Sequence, residues 1–137
     1  MKLTQAALSD APRIADIHLA AFQHNDMLLA QFPTENVRRG LWSSVVDKTV
    51  AELLDSQWRV MVAKDENQDI ISFAKWCLPI PESVDYKEQA WEWPEGTNMD
   101  VLEEWTARVE AASDEILGTT PCYRMLLCSL SFSDANF

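Results

Sequence analysis

The stretch "WRVMVAKDENQDIISFAKW", residues 58–76, decides how the chain folds. Trp58, Val60 and Val62 alternate with Arg59, Met61 and Ala63, a period of two that predicts a strand with one buried face. The polar "DENQ" turns the chain, and "DIISFAKW" returns through Ile71 and Phe73. Two central strands joined as a hairpin are therefore expected. Pro79 and Pro81 in "CLPIPE" end the second of them, because each proline removes a ladder donor.

Toward the N-terminus the periodicity changes from two to 3.6. "KLTQAAL" predicts a short strand, and "SDAP" starts a helix from about Asp10 to His24, with Ser9 or Asp10 as cap and Pro12 in the first turn. Ile14, Ile17 and Ala21 recur at helical spacing, with Phe22 beside them. His18 borders that apolar face, where a bond to a neighbouring carbonyl is its ordinary role. An apolar connection, "NDMLLAQFPT", leads to Thr34, the cap of a second helix running to about Leu54. Val37, Leu41 and Val45 form one stripe on it, and Trp42, Val46 and Leu53 a second, with Gly40 as a weak point.

Toward the C-terminus, Glu82 to Gly96 is an irregular, acidic and aromatic excursion whose Trp91 and Trp93 either cover an edge of the core or line a recognition surface. Thr97 and Asp100 have the spacing of a reciprocal cap for a third helix carrying Leu102, Trp105, Val109, Ala112 and Ile116. Gly118 closes that helix, and a last strand follows over about Cys122 to Leu130. Strand, two helices, hairpin, excursion, helix and strand make a mixed α/β (α+β) chain, read as a single domain over residues 1–137.

Composition narrows the function. Apolar residues make up 47% of 137, a globular profile, and no run approaches the roughly 20 apolar residues of a membrane span. Three cysteines without metal-ligand spacing fit reduced thiols and a cytoplasmic or nuclear setting, and no metal site is expected. The net charge is −11, and residues 82–115 hold eleven acids against Lys87 and Arg108. Such a chain repels phosphate backbones, so nucleic acid is not an expected partner, nor, without an apolar span, is a membrane, whereas a basic or amine-bearing partner is permitted.

The element order, with "DAPRIADIHLAAF" (10–22), "LLAQFPT" (28–34), "RVMVAKDENQDIISFAKW" (59–76), "WPEG" (93–96) and "ILGTTPCYRM" (116–125), resembles the GCN5-related N-acetyltransferase (GNAT) family, in particular its small fungal-type members. The resemblance implies a GNAT-like mixed sheet with flanking helices that splays after the fourth strand. It implies transfer of an acetyl group from acetyl-CoA, as co-substrate, to a small-molecule or peptide amine acceptor. The pantetheine arm would lie on the backbone of Met125, Leu126 and Leu127, and the acceptor among Phe22, Phe32, Trp76, Trp91 and Trp93. The family's diphosphate cradle, an Arg or Gln followed by paired small residues after the fourth strand, has no counterpart, since Gly40, Gly96 and Gly118 all precede that strand. No catalytic residue is assigned.

The expectation is therefore a domain truncated after the fourth strand and lacking its cofactor-binding half, the ending reflecting altered splicing, a frameshift or a gene-model error. Two non-catalytic alternatives stand beside the enzyme. One is a GNAT-like fragment that self-associates through an unpaired sheet edge, and the other is an acidic docking module that uses residues 82–115 to hold a basic protein.

Overall fold

A computed structural model of the chain describes residues 1–130, with side chains through Met125. The expected truncation and the "SFSDANF" ending lie outside the described residues. Four strands, β1 (Lys2–Gln5), β2 (Trp58–Lys64), β3 (Ile70–Cys77) and β4 (Arg124–Leu130), form one antiparallel sheet in sequence order. Helices α1 (Ala11–Phe22), α2 (Asp26–Gln31), α3 (Glu35–Leu54) and α4 (Met99–Leu117) flank it, so the fold is the expected mixture of α and β. No helix among the described residues is long and apolar enough to cross a membrane.

The hairpin forms as its alternation predicts, with Trp58, Val60, Val62, Phe73 and Cys77 buried on one face. Phase slips once. Ala63 pairs with Ser72 and Lys64 with Ile70, which leaves Ile71 as the extra residue and turns Ile70 inward in its place. Between the strands, the Asp65 carboxylate accepts from the amides of Asn67 and Asp69 at 2.8 and 2.9 Å, and Gln68 takes a left-handed φ of 69°.

Two apolar clusters sit on the helix side of the sheet. Ile14 and Ile17 of α1 pack with Ala6, Val60, Val62, Ile70 and Phe73. Ala15, one step round α1, joins Phe32, Val37, Leu41 and Val45 in a second cluster shared with α3. The predicted helix over 10–24 stops at Phe22, and Ala21 is exposed rather than buried. Pro12 does lie in its first turn, whereas the Asp10 carboxylate accepts from the Ala7 amide at 2.9 Å instead of capping α1. The "NDMLLAQFPT" connection contains a short helix, α2, whose first amides are held by Asn25 Oδ1 at 3.0 and 3.1 Å.

Thr34 caps α3 as expected, its Oγ1 accepting from the Val37 amide at 3.3 Å. The second buried stripe differs. Trp42 is largely outside the core, its indole N–H donating to Asp16 of α1 at 2.8 Å, and the buried positions are Ser44, Lys48, Thr49 and Glu52. Polar residues thus occupy the inside of this helix, because each has a partner there. The expected reciprocal cap of α4 is also absent: Thr97 Oγ1 donates to the Pro94 carbonyl, and Asn98 holds the cap position without a side-chain bond.

Residues 78–98 run as a strap antiparallel to α3, meeting it from its C-terminal end to its N-terminal end. The Tyr86 hydroxyl donates to Asp55, Lys48 donates to Glu88 and to the Gln89 carbonyl, and the Asn98 amide donates to the Gln31 carbonyl ahead of α3. Pro94 lies so close to Gly40 that a Cβ there would stand 2.7 Å from the proline ring. A Cβ on Gly96, at φ +87°, would stand 2.8 Å from Val37. Gly40 is therefore the docking point of the strap rather than a weakness in the helix.

Candidate functional site

β4 is an edge strand: β3 pairs one side of it, and no described strand pairs the other. Its ladder breaks at one point. Lys75 opposes Leu127 and Trp76 opposes Met125, so Leu126 is an extra residue that bends the strand and interrupts pairing. An edge of this kind can pair with an extended, amide-bearing segment in the way one strand adds to another.

A buried polar seam meets the break from the helix side. Lys75 stands in phase with Phe73 and Cys77 and is 5% exposed. Its ammonium donates to Thr49 Oγ1 at 2.6 Å and to Glu52 Oε2 at 2.8 Å, while Thr49 donates on to the Val45 carbonyl at 2.7 Å. Burial raises the Glu52 pKa and lowers that of Lys75, each against the stabilising charge of the other. His18 borders the same seam, where burial, with the Lys75 charge adding to it, pulls the imidazole down to about 4. Its ring packs on Phe22, centroids 5.3 Å apart. Among the described residues every buried side-chain nitrogen and oxygen has a partner, so the seam is internally complete.

A second buried lysine pins the strap. Lys48 donates to Glu88 at 2.8 Å, and Glu88 in turn faces Arg124 of β4 at 3.5 Å. Lys48 also lies over the Trp91 ring at 5.7 Å. Further along, the Tyr86 hydroxyl accepts from the Trp58 indole at 3.1 Å, and burial with the Asp55 bond pushes its pKa up to about 12.

The five aromatic residues singled out in the sequence fall in three places. Trp91 and Trp93 stack at 4.8 Å, Phe32 tilts against Trp93 at 5.8 Å, and all three close the second apolar cluster beneath the strap. Phe22 ends α1 beside His18. Trp76 alone stands in register with the break in β4, opposite Met125 and on the face away from Lys75. The backbone of Met125, Leu126 and Leu127 brackets that break.

Sequence reasoning passed over Lys75, Glu52, Thr49 and Lys48. The signal was present: a lysine at a strand position of apolar parity, and Ser44, Lys48 and Glu52 spaced by four on the inner side of α3. No group of three or more His, Cys, Asp or Glu that could hold a metal ion is found among the described residues.

Neither a family model nor a curated protein matches the chain. Among solved structures it is similar to "histone acetyltransferase HPA2 and related acetyltransferase" from Corynebacterium glutamicum, at 16% identity over 94% of this chain and 92% of that one, with a TM-score of 0.47. It is also similar to a mutant of the BH1408 protein from Bacillus halodurans, at 14% identity over 81% and 74% of the two chains, TM-score 0.47. A third is "a possible acetyltransferase" from Clostridium difficile 630, at 11% identity over 83% and 71%, TM-score 0.42.

Proposed function

We propose that the chain, residues 1–137 taken as one domain, is of N-acetyltransferase type. It receives the pantetheine arm of acetyl-CoA along the outer edge of β4 and presents an amine acceptor to it. The observation that carries this reading is the one-residue break at Leu126 in an edge strand. A thioester arm carries two amides spaced for strand-like pairing, and a break in the ladder frees backbone groups where the arm ends. In such transfer the acceptor nitrogen attacks the thioester carbonyl carbon, the C–N bond forms, the C–S bond breaks, and the departing sulfur takes up the proton that the amine gives away.

Trp76, in register with the break, meets the acceptor, whereas Phe22 packs on His18 and Phe32, Trp91 and Trp93 close the second apolar cluster beneath the strap. The acceptor is a small-molecule or peptide amine, whose positive charge suits a chain of net charge −11. A cytoplasmic or nuclear setting supplies the co-substrate.

Titration of the isotope-labelled chain with pantetheine and with CoA tests this. Resonances of Met125 to Leu127 are expected to shift with both. An undisturbed β4 with either ligand would remove the reading altogether.

A further inference from the structure

The α4 helix is amphipathic in sequence, yet its apolar stripe does not reach the core. Of Leu102, Trp105, Val109, Ala112 and Ile116, Leu102 alone is buried, while Trp105 and Val109 are 47% and 46% exposed. Their side of the helix forms one wall of a groove of about 860 Å³, whose other walls are the segment 118–125 and Leu78 with Ile80. Leu117, Tyr123 and Met125 continue its apolar floor. Glu110 and Asp114 stand in its lining, and α4 carries six acids against Arg108. Arg124, the basic residue of the lining, is turned toward Glu88 at 3.5 Å.

We propose that this groove binds an amphipathic helix of another protein whose apolar side is flanked by lysine or arginine. Trp, Tyr and Met offer the large, adaptable contacts that anchor such helices, and the acids at the rim complement the basic flank. The wall from Trp105 to Leu117 is about 18 Å long, which matches roughly three helical turns. Charge decides between occupants. A second copy would bring two α4 helices together, each with six acids against Arg108 and a net charge of −5, and an anionic membrane or nucleic acid would meet the same repulsion. The strap half of the acidic segment is already packed along α3, so docking belongs to α4 and not to residues 82–115 as a whole. The proposal is independent of the acetyltransferase reading.

The probe is a synthetic Leu–Lys amphipathic helix of about four turns, titrated into the isotope-labelled chain. Its controls are a Leu–Glu peptide of the same pattern and a Ser–Lys peptide of the same charge. Shifts confined to α4 and residues 118–125 are expected, with a dissociation constant in the micromolar range that weakens about tenfold between roughly 50 and 300 mM salt. Val109→Ser, at an exposed position that leaves the fold intact, should weaken binding about tenfold, and so should the pair Glu110→Lys and Asp114→Lys. The proposal is overturned if the Leu–Lys peptide fails to bind or shifts resonances elsewhere. It is equally overturned if either control binds as tightly, or if the variants bind like the parent.

Discussion

The seam under β3 and the outer face of α4 invert the usual distribution of residues. Lys48, Glu52 and Lys75 are 4%, 5% and 5% exposed, whereas Trp105, Val109 and Ile116 are 47%, 46% and 79% exposed. Both elements are helix-patterned or strand-patterned as their sequences require, so secondary structure is not what separates them. Partners are. Each seam cation is met by a carboxylate or hydroxyl within 3 Å, which offsets desolvation, while α4 has the sheet's helix side already filled by α1 and α3. Burial follows the availability of a partner more closely than it follows hydropathy.

The sharpest way to break this contrast is to remove one member of the seam. Glu52→Gln leaves the Lys75 ammonium buried without its countercharge, and the expected cost is about 3–5 kcal/mol, enough to unfold a marginal domain. Glu52→Leu combined with Lys75→Met removes both charges and is expected to recover most of that loss. Urea unfolding of the single and double variants gives the comparison. A double variant no more stable than the single one would mean that the seam stabilises through its charges and not merely through their mutual neutralisation.

A smaller effect sharpens the electrostatics of the same seam. His18 binds its proton more weakly folded, at about 4, than an ordinary imidazole at 6.5, so the unfolded chain holds more protons between those values. Stability is therefore full above pH 6.5 and falls as the pH drops toward 4, by about 2 kcal/mol between pH 7.5 and pH 5. His18→Leu should flatten that part of the profile while leaving the carboxylate-driven loss at lower pH. Identical slopes for the two proteins from pH 7.5 to pH 5 would place the imidazole in water.

How much of this was legible depends on what each residue needed to be interpreted. The hairpin and α3 were readable because Val60, Val62 and Phe73, or Val37, Leu41 and Val45, announce a period, and Thr34 announces a start. The seam was not, since a lysine in an apolar phase can be an exposed edge or a buried ion pair, and only the register of α3 against β3 chooses. Ile71 was misplaced because a one-residue slip opposite Ala63 has no signal in its own neighbours. Gly40 reads locally as a helix defect, because the proline that needs its bare backbone lies 54 positions away at Pro94. At the candidate site, the break at Leu126 arises from pairing with Lys75 and Trp76, which no local pattern encodes.

The smallest expected effect tests the other side of the contrast. Val109→Ser exchanges residues of similar helix propensity at a position 46% exposed, so it should move stability by less than about 0.5 kcal/mol. Leu102→Ala, about two helix turns earlier and 7% exposed, should cost about 2–3 kcal/mol by the same measurement. The two together separate a helix that is merely attached by its first turn from one buried along its length. A Val109→Ser loss approaching that of Leu102→Ala would mean that something covers the outer face of α4 in solution. The groove would then be filled before any partner arrives, and salt-sensitive peptide binding there would have to begin by displacing it.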